Sequence, residues 1–380
     1  MSYYGANGWR ARWASWQDAR AGRLAQANAR LGGLKLPGDR GPVLWLQGGD
    51  SRDQLRLGVE LCRAISDKRR DLRMILTFEQ EDATLFPETA AGIERLGYGF
   101  GPCAHRRALE TTLGRFQPLR YLGLGRVPGP ALAHLLTDRK IPVLSMAAAP
   151  GKAVDSPWEA IYPCGQGQYQ QWQSLSRVVG LQEPVDFLTL VTVAQVDPNF
   201  RNLILASQGD ALFWVTGLQA ADWAAWIAAW QKSPLRRRAL LFLEGTGAPA
   251  MLRKLSHWQR EPVPVGSVLQ ADETRWHPAL ASACDAVHLL AAGSTQLWQI
   301  FAGGRPLSRR PGLHWDLPAP LATQPLELAG PEAVLQHWAR VLVEPIAARE
   351  EADAYRRFFW QERRAAGERL PEFLQRVFDW

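Results

Sequence analysis

The stretch Cys284-Asp-Ala-Val-His-Leu-Leu-Ala-Ala-Gly-Ser-Thr-Gln-Leu-Trp-Gln-Ile-Phe-Ala-Gly-Gly-Arg-Pro-Leu307 reads as a buried strand, a small-residue loop, a short helix and a Gly-Gly-x-Pro exit. The loop Gly293-Ser294-Thr295 would set free backbone N–H groups and two hydroxyls at the start of a helix over Gln296–Ala302. Unpaired amides and the helix dipole both favour an anion there, so the segment predicts a phosphate seat. An ordinary strand–helix turn is the plainer reading of the same residues. The surrounding chain decides between them.

Working outward from this segment, the same βα rhythm fills both halves. In the second half, Leu212–Thr216, Ala239–Glu244 and Pro264–Leu269 read as strands. Ala220–Gln231, Ala250–Gln259 and Trp276–Cys284 read as helices, the first with Trp223, Trp226 and Trp230 on one face as core. In the first half, Val43–Gln47, Leu72–Phe78, Leu119–Leu124 and Ile141–Ala147 read as strands. Between them lie a helix over Leu55–Lys68, with Leu55, Val59, Cys62 and Ile65 inward, and another over Ala131–Arg139. Strands of near-continuous apolar character alternating with helices imply parallel sheets covered on both faces. The expected fold class is therefore α/β, with two Rossmann-like domains.

The expected organisation is a basic amphipathic helix over 1–33, an N-terminal domain over 34–150, an interdomain region over 151–185, a C-terminal domain over 186–344 and closing helices over 345–380. Pro150-Gly151, Pro157, Pro163 and Gly165-Gln-Gly167 interrupt the rhythm in the interdomain region. At the N-terminus, Trp9, Trp13 and Trp16 share one helical face beside Arg10, Arg12, Arg20, Arg23 and Arg30. Such a helix suits an anionic membrane surface, or docks on its own domain with a solvated basic edge.

Composition narrows the classes. At 380 residues the chain exceeds one typical core, and with 47% hydrophobic and 21% charged residues it is globular. Cys62, Cys103, Cys164 and Cys284 are scattered with no C-x-x-C pair, which points to neither a zinc site nor a disulfide framework and suits a reducing cytoplasm. No signal peptide and no apolar run of about 20 residues is present. A net charge of +7 favours anionic partners, but the basic residues are dispersed and no nucleic-acid module is recognisable. The histidines lack metal-ligand spacing, so no metal or other cofactor is expected.

Several segments together resemble a known family. Arg40-Gly-Pro-Val-Leu-Trp-Leu-Gln47, Asp71-Leu-Arg-Met-Ile-Leu-Thr77, Phe116-Gln-Pro-Leu-Arg-Tyr-Leu-Gly-Leu124, Lys140-Ile-Pro-Val-Leu144 and Ala281–Leu307 are similar to segments of the Kdo (3-deoxy-D-manno-octulosonic acid) transferases. These are GT-B glycosyltransferases of the lipopolysaccharide inner core. The resemblance implies two Rossmann-like domains facing a cleft, a nucleotide-sugar donor (CMP-linked in that family), a glycolipid acceptor and a cytoplasmic site of action peripheral to the inner membrane. In the family a His-Ala-x-Ser-x-Gly-Glu stretch supplies the catalytic base; here Gln47-Gly48-Gly49-Asp50-Ser51-Arg52-Asp53 stands there, so Asp53 is the implied base, one methylene shorter.

Elsewhere the pattern departs. Gly125-Arg126-Val127-Pro128-Gly129-Pro130 replaces the family's second acidic motif, and both carboxylates are absent. On the donor side, Gly293-Ser294-Thr295-Gln296 with Gln299 matches Gly-Gly-His-Asn…Glu, an amide replacing the ribose-binding carboxylate. Gly217-Leu-Gln-Ala stands where the family has a His-Pro loop. The donor-binding residues expected are thus Gly217, Gly293, Ser294, Thr295, Gln296 and Gln299, with Gln47, Gly48, Gly49, Glu244 and Arg309 as further cleft residues. The losses also fit a non-catalytic GT-B relative serving as a binding or scaffold protein.

Overall fold

The computed structural model describes residues 8–38, 40–48, 51–79, 90–151, 156–175, 179–191, 199–207 and 209–379. By contact the chain divides into two units: residues 1–191 with 316–319 and 365–380, and residues 192–315 with 320–364. Each is built on its own parallel sheet.

In the first unit the strands are β1 (Val43–Gly48), β2 (Arg73–Phe78), β3 (Leu96–Phe100), β4 (Pro118–Leu124), β5 (Val143–Met146) and β6 (Trp158–Tyr162). They lie in the order β3-β2-β1-β4-β5-β6. Leu46 stands opposite Leu76 on one side and Leu122 on the other. The strands form because runs such as Val-Leu-Trp-Leu bury both faces once helices cover them. Helix α1 (Gly8–Arg20) and α2 (Leu24–Arg30) precede the sheet; α3 (Arg52–Lys68), α4 (Arg106–Phe116), α5 (Pro130–Asp138) and α6 (Gln166–Gln173) follow its strands. α3 starts where the Ser51 hydroxyl accepts from the Gln54 N–H, a helix cap, and buries Leu55, Val59, Cys62 and Ile65 as expected.

Three readings need correction in this unit. Residues 158–173 are not linker: β6 pairs with β5, and α6 follows. Buried Arg120 on β4 grips Glu159 on β6 with two bonds, at 2.7 and 2.8 Å, fixing a strand whose flanking prolines had masked it. The sequence pattern assigns neither the helix α4 nor the strand β3 before it, whose Leu96-Gly-Tyr-Gly-Phe carries little apolar signal. Its glycines admit a crossing segment, since a Cβ on Gly99 would lie 2.5 Å from Leu34 Cδ1. The N-terminal helix is two helices, broken at Gly22, whose φ of +78° suits glycine.

The second unit carries β7 (Ala211–Leu218), β8 (Ala239–Gly245), β9 (Arg253–Lys254), β10 (Val268–Gln270), β11 (Ala286–Leu289), β12 (Leu307–Arg309) and β13 (Leu326–Glu327). Their order is β13-β12-β11-β7-β8-β10-β9, all parallel. The helices are α7 (Phe200–Ile204), α8 (Trp223–Lys232), α9 (His277–Ala283), α10 (Ser294–Gly303), α11 (Pro331–Val343) and α12 (Pro345–Phe378). The helix expected over Ala250–Gln259 is absent; Arg253–Lys254 pairs with β10 and Leu255–His257 makes a single 3₁₀ turn.

Trp223, Trp226 and Trp230 are buried, and Phe213 stacks on Trp338 of α11 at 4.5 Å. His288 on β11 lies in this core, and burial, with His337 nearby, pushes its imidazole down to about 3. α12 is common property: its residues to Arg364 count with the second unit and those from Ala365 with the first.

Candidate functional site

In an open parallel sheet, ligands collect at the carboxyl ends of the strands where the strand order reverses. In the second unit the reversal falls between β7 and β11. Gly217, the last residue but one of β7, has φ +85° there, and a Cβ on it would lie 2.2 Å from the Ala291 backbone nitrogen. Only glycine lets the loop before α10 sit this close. That loop ends in Gly293, which precedes α10 without any side-chain cap, and both Gly293 and Ser294 are exposed. The start of a ten-residue helix, with no side-chain cap and with Gly293 and Ser294 exposed, therefore lies at the switch point, an arrangement suited to an anion.

Beside this turn four side chains form one network. Gln296 Nε2 donates to Thr216 Oγ1 at 2.7 Å and to Glu244 Oε2 at 2.8 Å. The other carboxylate oxygen of Glu244 lies 2.7 Å from His277 Nε2. These residues come from the ends of β7 and β8 and the starts of α9 and α10. The structure thus gathers Gly217, Glu244, Gly293, Ser294 and Gln296, and adds Thr216 and His277. Thr295 and Gln299 are buried; the Oε1 of Gln299 has no hydrogen-bond partner among the described residues. Arg309 is engaged elsewhere: it pairs with Glu327 at 3.0 Å and lies over the Trp315 ring.

In the first unit the order reverses between β1 and β4. Gly48 closes β1 against α3, where a Cβ would meet Leu55 Cδ2 at 2.8 Å. Asp53 is half-buried in the first turn of α3, just after this edge. Gln47 is buried and its Oε1 accepts from the Tyr121 hydroxyl, so it serves the core. Gly49 lies outside the described residues. A second carboxylate, which the sequence reading missed, stands at the same edge: Glu79 follows β2 and is paired with Arg126, the residue after Gly125. The signal was available, since the first charged residue after a buried strand falls at the ligand-binding edge.

No family model matches the chain, and no curated protein matches it in sequence. Solved structures do match. HepE from Anabaena in complex with UDP-glucose shares 11% identity at a TM-score of 0.58, over 88% of this chain and 100% of that one. A UDP-glucosyltransferase from Polygonum tinctorium capable of glucosylating indoxyl shares 10% identity at 0.58, over 90% and 99%. A UDP-GlcNAc 2-epimerase from Neisseria meningitidis bound to UDP-GlcNAc shares 10% at 0.53, over 87% and 100%. Two Rossmann-like parallel sheets with their helices, matched across both units by these chains, give this protein the GT-B fold found among nucleotide-sugar glycosyltransferases and epimerases.

Proposed function

We propose that the protein is a GT-B glycosyltransferase that seats a nucleotide sugar on the turn Gly293–Gln296 and uses Asp53 as base toward an acceptor hydroxyl. The observation that carries this reading is the exposed, uncapped start of α10 at the switch point of the second sheet. Phosphate oxygens would take N–H groups at the start of α10 and the Ser294 hydroxyl. The acceptor oxygen would lose its proton to Asp53 as it attacks the anomeric carbon, and the nucleotide would leave with the bonding pair. Following the resemblance, the donor is a CMP-linked, Kdo-like sugar and the acceptor a lipopolysaccharide-type glycolipid. Several of the solved neighbours instead carry UDP or a UDP-sugar, so both nucleotides must be tried.

Calorimetry with CMP and with UDP tests the seat. One of them is expected to bind, and Ser294→Trp, which places an indole over the exposed turn, to weaken it by at least about tenfold, or 1.4 kcal/mol. Binding of neither overturns the transferase reading. It would leave a non-catalytic binding or scaffold role in envelope glycan assembly. One observation favours that second reading: the fixed carboxylate of Glu244 beside an anion seat opposes phosphate.

A lipid-linked acceptor requires the enzyme to work at a bilayer. None of the described helices is long and apolar enough to cross one. α1 offers a peripheral contact instead. It docks through Ala11, Ser15 and Asp18, the Ser15 hydroxyl donating to the Ala27 carbonyl at 2.8 Å. This turns Trp9, Trp13 and Trp16 outward, 65%, 54% and 53% exposed. The Arg10 and Arg20 guanidiniums lie over Trp9 and Trp16, joining charge to the indole face. Indoles at the headgroup level with arginines beside them suit an anionic surface. Sedimentation with phosphatidylglycerol vesicles is expected to bring down the wild type. Replacing all three tryptophans by Ser should reduce binding about tenfold, and neutral vesicles should bind less; equal binding by the triple variant would remove the membrane role.

A further inference from the structure

The second unit holds another concentration of positive charge, at the far end of α10. A cavity of about 460 Å3 is bounded by Gly304, the start of β12, the end of α11 and the first turns of α12. Arg305, Arg349 and Arg356 line it, with Asp285 and Asp353.

The two acids do not balance the three bases. Asp285 Oδ2 already accepts from Arg201 Nη1 at 3.0 Å and from the Leu212 N–H at 2.8 Å. Asp353 is 3.5 Å from Arg356, and both are about half exposed. The side chains of Arg305 and Arg349 make no ion pair or hydrogen bond among the described residues, and the Arg305 Nε is buried with no partner. Burial pulls the Arg305 guanidinium below its usual range, Arg201 and Arg356 add to this, and the nearby Cys284 and Asp285 only oppose it. Arg305 is thus partly buried with its Nε unpartnered among the described residues, and the nearby Asp285 is already committed to Arg201 and the Leu212 N–H.

We propose that this cavity binds a phosphomonoester on a sugar-sized body, with Arg305, Arg349 and Arg356 as its partners. Planar guanidiniums present paired N–H donors that match phosphate oxygens. The volume exceeds what a bare phosphate fills and falls in the range of small-ligand sites. The site is separate from the nucleotide seat: ten residues of α10 lie between them, about 15 Å along the helix. It stands whether or not the transferase reading does.

Calorimetry of the full chain with glucose 6-phosphate, at constant ionic strength and with glucose as control, tests it. Saturable one-to-one binding is expected for the wild type and for Ser294→Trp. Arg305→Gln and Arg349→Gln should each weaken it by about tenfold or more. Arg349 is exposed, so its variant keeps the test valid if Arg305→Gln melts early. Absence of saturable binding, equal binding of glucose, or full affinity in Arg349→Gln would overturn the proposal. So would loss of binding in Ser294→Trp alone, which would put the ligand on the nucleotide seat.

Discussion

Asp53→Asn is expected to lower glycosyl transfer by about 10²- to 10⁴-fold while the melting transition stays in place. The amide keeps the size of the side chain but cannot take the acceptor proton, so the loss should appear in kcat with donor affinity unchanged. Folding should tolerate the change because Asp53 is only half-buried and the cap of α3 rests on Ser51. Removing one carboxylate from a first turn costs roughly 0.3–1 kcal/mol through the helix dipole. Asp53→Glu should retain more activity than Asn, since it keeps a carboxylate within reach of the acceptor. Glu79 is the rival base at the same edge, but its partner Arg126 already holds it. If Asp53→Asn transfers sugar at the wild-type rate and Glu79→Gln does not, the base assignment moves to Glu79.

The sequence made the sheets readable wherever burial on both faces left an unbroken apolar run, as at Val43–Gly48, Arg73–Phe78 and Ala239–Gly245. It hid β3 and β6 for physical reasons. The first is made of glycines that admit a neighbouring segment, and the second is held by a charged pair, Arg120–Glu159, that hydropathy does not register. The tryptophans show how far periodicity goes. The stripes on α1 and α8 look alike in sequence, yet α8 buries its indoles and α1 presents them to solvent. Spacing assigns side chains to a face, and only packing says which face is inward.

Gly217 and the Gly293–Gln296 turn were legible as strand–helix junctions, because glycines and small hydroxyl residues mark such turns. His277 was not singled out, though it opens α9, and helix starts in a parallel sheet lie at the ligand edge. Its link to Glu244 depends on two junctions 33 residues apart in the chain meeting in space, which no local pattern announces.

At Gly217 the site depends on a single atom's absence. Gly217→Val is expected to destabilise the second unit by about 2–5 kcal/mol and to abolish nucleotide binding in whatever fraction still folds. Two costs combine. A φ of +85° disfavours any β-branched residue, by about 1–3 kcal/mol. The added Cβ would also meet the Ala291 nitrogen at 2.2 Å and its carbonyl oxygen at 2.4 Å. Those are backbone atoms and cannot swing aside as a side-chain tip would. The loop from Leu290 to Gly293 must shift, and the start of α10 shifts with it. Gly312→Ala separates the two costs: Gly312 has φ +76° with open space around the missing Cβ, so it bears the conformational cost alone, about 1 kcal/mol. Urea unfolding followed by tryptophan fluorescence reads both. If Gly217→Val unfolds no more readily than Gly312→Ala and still binds nucleotide, the loop is not held against β7, and the phosphate seat assigned to it falls.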